Sequence, residues 1–359
     1  TGEQGFQRAT ADTCLYYFED ENGFVILVAE VDDLIVTGTN QVKIEQLHRD
    51  LVEKWKVSQF EPVNSFLGID IQYNIQSFAD VGTKVGELTM NVRAKIDSLF
   101  DAHPAIATVK QHDEALPQEK TLENWRNSTA ELSPMEQYIC QHYQSLTGSL
   151  IYLGISCRPD ISFAIGKISR GMHNPSPAHV RMLQYCLGYL YRHREKGITY
   201  LQTGNVIETE FRHLADKNTQ LVSLVNHEYR GDNLMPIDPL VGMSDADYAN
   251  SREDQRKSIS GFCFYAFGCL VSWKSKLQPI TATSTHEAEL IALTFAADEG
   301  IWLRRLLTEL HFSIPNIYQL NATASKETES PAQAALERTR PAHLAATPIL
   351  GDNKSSIHT

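Results

Sequence analysis

Five acidic residues interrupt stretches that otherwise read as buried. Asp32 and Asp33 break FVILVAEVDDLIVTG, Asp245 lies in VGMSDADYAN, Glu289 in STHEAELIAL, and Asp352 follows PILG. Carboxylates gathered on rigid elements suit one chemistry in particular. Hard oxygen ligands hold two divalent cations about 4 Å apart, which clamp the attacking and leaving oxygens of a phosphodiester. The bland account uses the same residues: Asp at a hairpin tip, or Asp-x-Asp near a turn, is ordinarily a solvated Asx turn. Spacing leaves both readings open. Glu287 and Glu289 are two residues apart and point about 200° apart on a helix, so only one can face a site. Glu287 is accounted for by a capping box with Ser284.

Positioning these residues requires strands and helices, and the pattern supplies them. Residues 22–38 predict a β-hairpin with the Asp pair at its turn. A helix over 42–55 places Ile44, Leu47, Leu51 and Trp55 on one face, and 66–73 reads as a strand. Residues 101–135 are polar and irregular, and read as a linker. Three helices follow: one over about 135–155, one opening at Arg158-Pro159-Asp160, and one starting at Ser176-Pro177 and ending before Gly197. From about 241 the pattern turns to strands and then a long helix from Ser284, with Leu290, Leu293, Ala297, Ile301 and Leu307 as its expected buried face. Residues 321–346 are rich in Ala, Thr, Glu and Pro and read as an exposed insertion. No internal repeat is visible.

With 359 residues the chain is long enough for two or three domains. The longest apolar run, Phe24 to Ala29, is far below the roughly 20 residues that span a bilayer. No membrane partner and no leader are expected. Six scattered cysteines without a C-x-x-C pair suggest a reduced, intracellular protein. The first residue is Thr1, so the chain reads as a piece of something longer.

A net charge of −12 argues against a generally basic nucleic-acid binder. Between Arg158 and Tyr200, however, seven Lys/Arg stand against two Asp/Glu, a local +5. Arg192, Arg194 and Lys196 in that segment either complement a helix C-terminus or contact a nucleic-acid backbone. Lys274 and Lys276 in SWKSKLQ are further candidates for nucleic-acid contact, whereas Trp273 just before them reads as core. His286 and His358 read as surface residues or neighbours of the ligands, because carboxylates suit Mg²⁺ better than imidazole does.

Taken in order, SDADYAN, QRKSISG, SWKSKLQ, STHEAELIAL and GDNKSS resemble the ribonuclease H domain of copia-type LTR retrotransposon Pol polyproteins. GFQRATADTCLY, VDDLIVTG, SFLGIDI, the stretch YQSLTGSLIYLGISCRPDISFAIGKISR and NPSPAHV are similar to the C-terminal part of that family's reverse transcriptase and its connection to ribonuclease H. The resemblance covers nearly the whole chain. It implies an α+β or α/β architecture: a partial polymerase palm (1–100), a linker and helical thumb or connection (101–205), a linker (206–240), and a ribonuclease H-like mixed sheet flanked by helices (241–359). By the same resemblance Asp245, Glu289 and Asp352 match the family's first three nuclease carboxylates, and Asp32 and Asp33 the paired palm aspartates. Two Mg²⁺ ions, or Mn²⁺, are the implied cofactors, with Asp245, Glu289, Asp352 and Asp32 as ligands. The implied partners are primer-template nucleic acid, RNA–DNA hybrid and the rest of Pol, including an upstream integrase and the other half of the palm. The implied location is the cytoplasm, in a virus-like particle, with passage into the nucleus.

The chain departs from the family pattern in three ways. Glu30 replaces the tyrosine of Tyr-Val-Asp-Asp, a long insertion precedes Asp352, and the remaining palm aspartate and fourth nuclease carboxylate belong upstream of Thr1 and downstream of Thr359. The expected function is copying RNA into DNA and hydrolysing the RNA strand of the hybrid. The rival expectation is a catalytically inactive remnant that at most binds nucleic acid.

Overall fold

The alternating and β-branched stretches pair into three four-stranded sheets, separated by a helical unit with its own core. The computed structural model describes residues 5–55, 60–78, 83–201, 240–251, 256–267, 269–310 and 349–350. The expected insertion at 321–346 and the expected linker up to residue 239 lie outside them.

The first sheet is an antiparallel meander of β1 (Gln7–Arg8), β2 (Leu15–Asp20), β3 (Gly23–Glu30) and β4 (Asp33–Gly38). Helix α1 (Gln41–Trp55) covers one face, with Leu47 packed against Phe6 and Val25, and Ile44 and Leu51 beside it. The predicted hairpin is present, and its loop is two residues long. Glu30 pairs with Asp33, leaving Val31 and Asp32 as the turn. Val31 has φ +50°, a left-handed conformation that a β-branched residue adopts only at a cost.

The second sheet, β5 (Ser65–Phe66), β6 (Ile69–Phe78), β7 (Thr83–Asn91) and β8 (Gly197–Leu201), is also antiparallel. Its last strand returns only after the helical unit, so Met90 pairs with Ile198 across more than a hundred residues. The inserted helices are α2 (Arg93–Ala102), α3 (Glu119–Arg126), α4 (Pro134–Gln141), α5 (Tyr143–Ser156), α6 (Ser162–Ile168) and α7 (Pro177–Arg192). Helix α7 starts where its sequence says it should. Ser176 Oγ accepts from His179 N, His179 Nδ1 accepts from Ser176 N, and Pro177 occupies the first turn. Its stripe Val180, Leu183, Leu187 and Leu190 is fully buried.

Two readings change here. The helix expected over 135–155 is broken at His142 into α4 and α5. The segment expected as an irregular linker contains α3 and a 3-10 turn at Pro104–Ile106, and buries Ile106, Val109 and Leu122 in the helical core. Its polar composition hides a sparse set of apolar anchors. Close approach is part of that packing, since a Cβ at Gly188 of α7 would lie 1.9 Å from the Lys110 carbonyl oxygen. None of the six cysteines forms a disulfide, and burial pushes the thiols of Cys157 and Cys186 up to about 11 and about 12.

The third sheet has the order β11-β10-β9-β12, from β9 (Leu240–Ser251), β10 (Lys257–Ala266), β11 (Cys269–Leu277) and β12 (Ile349–Leu350). Strands β9 to β11 are antiparallel, while β12 runs parallel to β9. Helix α8 (Thr285–Glu309) packs on β9 and β10. Its buried line is Ala288, Ala292, Ala296, Gly300, Leu303 and Leu307, one step round the helix from the face expected from the large residues. Ile301 is exposed instead. Small side chains let the helix approach the sheet closely, and Leu290 flanks that contact.

Two junctions join the parts. Trp273 of β11 donates its indole N–H to the Gly154 carbonyl of α5 at 2.8 Å, so this residue sits at an interface rather than in a core. At the far end of α8, Glu309 accepts from the backbone N–H groups of Thr10 and Ala11 and from the Thr10 hydroxyl. Trp302 donates to the Ala11 carbonyl at 3.0 Å.

Candidate carboxylate centre and basic surfaces

Asp245 occupies the middle of β9, directly opposite Gly261 of β10. Its neighbours Ser244 and Ala246 are buried, Ala246 against Ala282, Ala288 and Ala292, while Asp245 itself is exposed. No side chain at Gly261 crowds it, and a Cβ built there would meet nothing closer than 3.9 Å. Glu289 follows Ala288 in α8 and is only 8% exposed. Burying a carboxylate is costly unless it has partners or a cation. Hard oxygen donors of this kind suit Mg²⁺ or Mn²⁺.

Asp352 and His358 lie outside the described residues. Strand β12 stops two residues before Asp352, and its parallel register pairs Leu350 with Met243, two residues before Asp245. Among the described residues no group of three or more His, Cys, Asp or Glu side chains could hold a metal ion. Of the three expected nuclease carboxylates, Asp245 and Glu289 are the ones among the described residues.

The start of α8 fixes which glutamate is structural. Ser284 Oγ accepts from Glu287 N at 3.1 Å, as expected. The return half of the box is displaced by one residue, because Glu287 Oε2 accepts from Thr283 N and Thr283 Oγ1 at 2.6 and 2.7 Å. Those hydrogen bonds hold the Glu287 carboxyl below the usual glutamate range. His286 is half-buried on the same turn.

Asp32 and Asp33 sit at the exposed tip of the β3–β4 hairpin, next to Val31, which is 92% exposed. Glu30 is half-buried at the base of the turn.

The basic segment looks different in space than along the chain. Arg192 pairs with Asp113 at 2.7 Å, Arg194 with Asp97 at 3.6 Å, Arg181 with Glu136 at 2.9 Å, and Lys167 with Glu119 at 3.4 Å. These four acids lie outside residues 158–200, so a count of +5 becomes +1 once they are included. Lys196 donates to Tyr189 Oη at 3.1 Å, Tyr189 donates to Asp160 at 2.6 Å, and Asp160 receives two hydrogen bonds from the fully buried Arg158. The Arg158–Asp160–Tyr189–Lys196 network was not anticipated, although the Arg-Pro-Asp spacing at 158–160 was its signal. By contrast Lys274 and Lys276 are exposed, with their ammonium groups 5.6 and 5.8 Å from the centre of the Phe295 ring.

Residues 2–82 match the model of the family described as reverse transcriptase (RNA-dependent DNA polymerase). The chain is 29% identical over 321 residues to the retrovirus-related Pol polyprotein from transposon TNT 1-94 of Nicotiana tabacum, covering 86% of this chain and 20% of the polyprotein. Against the corresponding polyprotein from transposon RE1 of Arabidopsis thaliana it is 27% identical over 324 residues, 89% of this chain and 19% of the relative. It is also 32% identical over 161 residues to secreted RxLR effector protein 161 of Plasmopara viticola, covering 45% of this chain and 90% of that protein. No solved structure matches. The chain spans about a fifth of the length of the Pol polyproteins that it resembles over nearly nine-tenths of its own. Those matches, with a reverse transcriptase-like portion at its start, support a fragment of a copia-type retrotransposon Pol polyprotein.

Proposed function

We propose that the chain carries the end of a polymerase palm, a helical connection and a ribonuclease H-like nuclease, and that the nuclease cuts the RNA strand of an RNA–DNA hybrid. One observation carries the reading: a nearly buried glutamate, Glu289, on the helix that packs on β9, the strand bearing Asp245. The parallel partner of that strand, β12, supports it, since it leads into Asp352 at the same spacing from the pairing as Asp245. Asp245, Glu289 and Asp352 would hold the cations through carboxylate oxygens. Bound Mg²⁺ supplies an acidified water and charge neutralisation at the leaving 3′ oxygen. Asp245, exposed beside Gly261, presents its oxygens where a phosphate can reach them, while Glu289 is fixed by the packing of Ala288 and Ala292. Lys274 and Lys276 are the better placed of the basic candidates for the hybrid backbone, because Arg192 and Arg194 already face carboxylates. Asp32 and Asp33 are the palm aspartates in this reading, supported by the reverse transcriptase model that residues 2–82 match, and RNA-templated copying within the larger polyprotein is part of the proposal. The site of action is inside the cell, and no described helix is long and apolar enough to cross a membrane.

The test is a hybrid with a labelled RNA strand, incubated with the protein and Mg²⁺. The parent should cut the RNA and leave the DNA whole, and Asp245→Asn or Glu289→Gln should slow cutting by at least about a hundredfold, as loss of a transition-state contact does. A parent that cuts nothing turns the reading to the inactive remnant. Cutting that is unchanged in both variants removes the site assignment.

A further inference from the structure

Between the end of β11 and the first turns of α8 lies a cleft of about 400 Å³. Its walls are apolar: Leu277, Pro279, Leu290, Ile291 and Phe295. From the helix, Glu287, Leu290, Ile291 and Thr294 line it, which is one stripe at helical spacing. Glu289 lies about 200° round the helix from Glu287. The cleft is therefore on a different flank of α8 from the carboxylate centre.

The rim and floor are chemically specific. Lys276 lines the cleft, Lys274 shares Phe295 with it, and Lys257 Nζ is held at the rim by the Pro279 carbonyl at 2.8 Å. Glu287, the single carboxylate among the lining residues, is occupied by Thr283. Gln278, 2% exposed, contributes to the lining. Its Nε2 donates both hydrogens, to Ser260 Oγ at 3.0 Å and to the Ala288 carbonyl at 2.8 Å. The helix carbonyl accepts only, which fixes the amide orientation and leaves Oε1 as a buried acceptor without a partner among the described residues.

We propose that this cleft binds a single nucleotide, its base against Leu290, Ile291 and Phe295 and its phosphate at Lys276 and Lys274. The volume lies within the range of small-ligand sites. A flat ring and an anion together match the apolar walls and the cationic rim. This inference rests on the nucleic-acid reading above only in choosing a nucleotide as the ring-bearing anion. It uses neither Asp245 nor Glu289.

The experiment is saturation-transfer NMR on the full chain with adenosine monophosphate, adenosine and ribose 5-phosphate, in the presence of a chelator so that no divalent cation contributes. Adenosine monophosphate should bind, with adenosine and ribose 5-phosphate each about tenfold weaker. Lys276→Gln, a change at an exposed position, should bring adenosine monophosphate to the level of adenosine and leave adenosine unchanged. Leu290→Trp should fill the cleft and abolish both, and its melting temperature reports whether it still folds. A parent that does not bind adenosine monophosphate, or a Lys276→Gln variant that binds it as the parent does, overturns the proposal. Nucleotide binding retained without hybrid cutting would sink the carboxylate reading alone, and the reverse outcome would sink this one alone.

Discussion

Replacing Asp160 tests whether the basic segment is held inside the fold or is free to meet phosphate. Arg158 is 0% exposed and gives Nε and Nη2 to the two Asp160 oxygens at 2.9 and 2.8 Å, while Tyr189 adds a third donor at 2.6 Å. Removing the carboxylate strands a buried guanidinium. Breaking a buried pair from one side costs about 3–5 kcal/mol, and because water reaches the Asp160 side of this pair, Asp160→Ala should fall near the lower end of that range. Asp160→Asn keeps one acceptor and should lose less, about 1.5–3 kcal/mol, as for a hydrogen bond to a charged group. The pH dependence follows from the direction of the shift. Burial raises the Asp160 pKa, but the hydrogen bonds and charge of Arg158, with Tyr189 and Lys196, outweigh it and hold the carboxyl below the usual range. A depressed folded pKa gives stability that is present above the unfolded value of about 4 and is lost as pH falls through the folded value. Urea titrations of parent and Asp160→Asn at pH 7 and pH 3 should therefore show a gap that narrows at acid pH. A gap below about 1 kcal/mol at pH 7, or one equal at both pH values, would refute the reasoning.

Two further changes probe the ends of the molecule. If Glu289 and Asp245 are cation ligands, millimolar Mg²⁺ should raise the melting temperature of the parent, by mass action about 1.4 kcal/mol at ten times Kd, and Glu289→Gln should erase the rise. An equal rise in the variant removes Glu289 from the site. Val31→Asn should stabilise the chain by about 1 kcal/mol, because Asn tolerates the left-handed turn that strains valine. Thermal denaturation checks it, and a loss of stability would mean that Val31 makes contacts beyond the turn.

Local signals were legible wherever the chain carries its own punctuation. Ser176-Pro177 opens α7 and Ser284 opens α8 because a hydroxyl can accept a backbone N–H within one turn. The β3–β4 hairpin follows from two apolar runs around polar residues. What escaped was decided by contacts distant in sequence. The face of α8 was misread because large side chains were weighted, whereas a helix lying close on a sheet buries alanine and glycine. The linker at 101–135 was misread because Ile106, Val109 and Leu122 are too few and too irregularly spaced to show a period, yet each fills the helical core. The Glu287 side chain was assigned to Ser284 and belongs to Thr283, a difference of one residue that no spacing rule resolves.

Charge was the most misleading of the linear signals, and the reason bears on function. A run of cations is visible along a sequence, but the acids that answer it come from α2, α3, α4 and the loop before α3, through Asp97, Glu119, Glu136 and Asp113. A cation already paired with a carboxylate has less field left for a phosphate, so Arg192 and Arg194 would take up a nucleic acid in competition with Asp113 and Asp97. Lys274 and Lys276 have no such debt, since their ammonium groups lie over a neutral ring. The same asymmetry separates the two acidic centres. Asp32 and Asp33 stand at an exposed tip, where water solvates them at no cost, whereas Glu289 has been drawn into a packed helix–sheet contact. A fold tolerates a buried carboxylate only where something answers its charge, a demand that falls on Glu289 and not on the exposed pair.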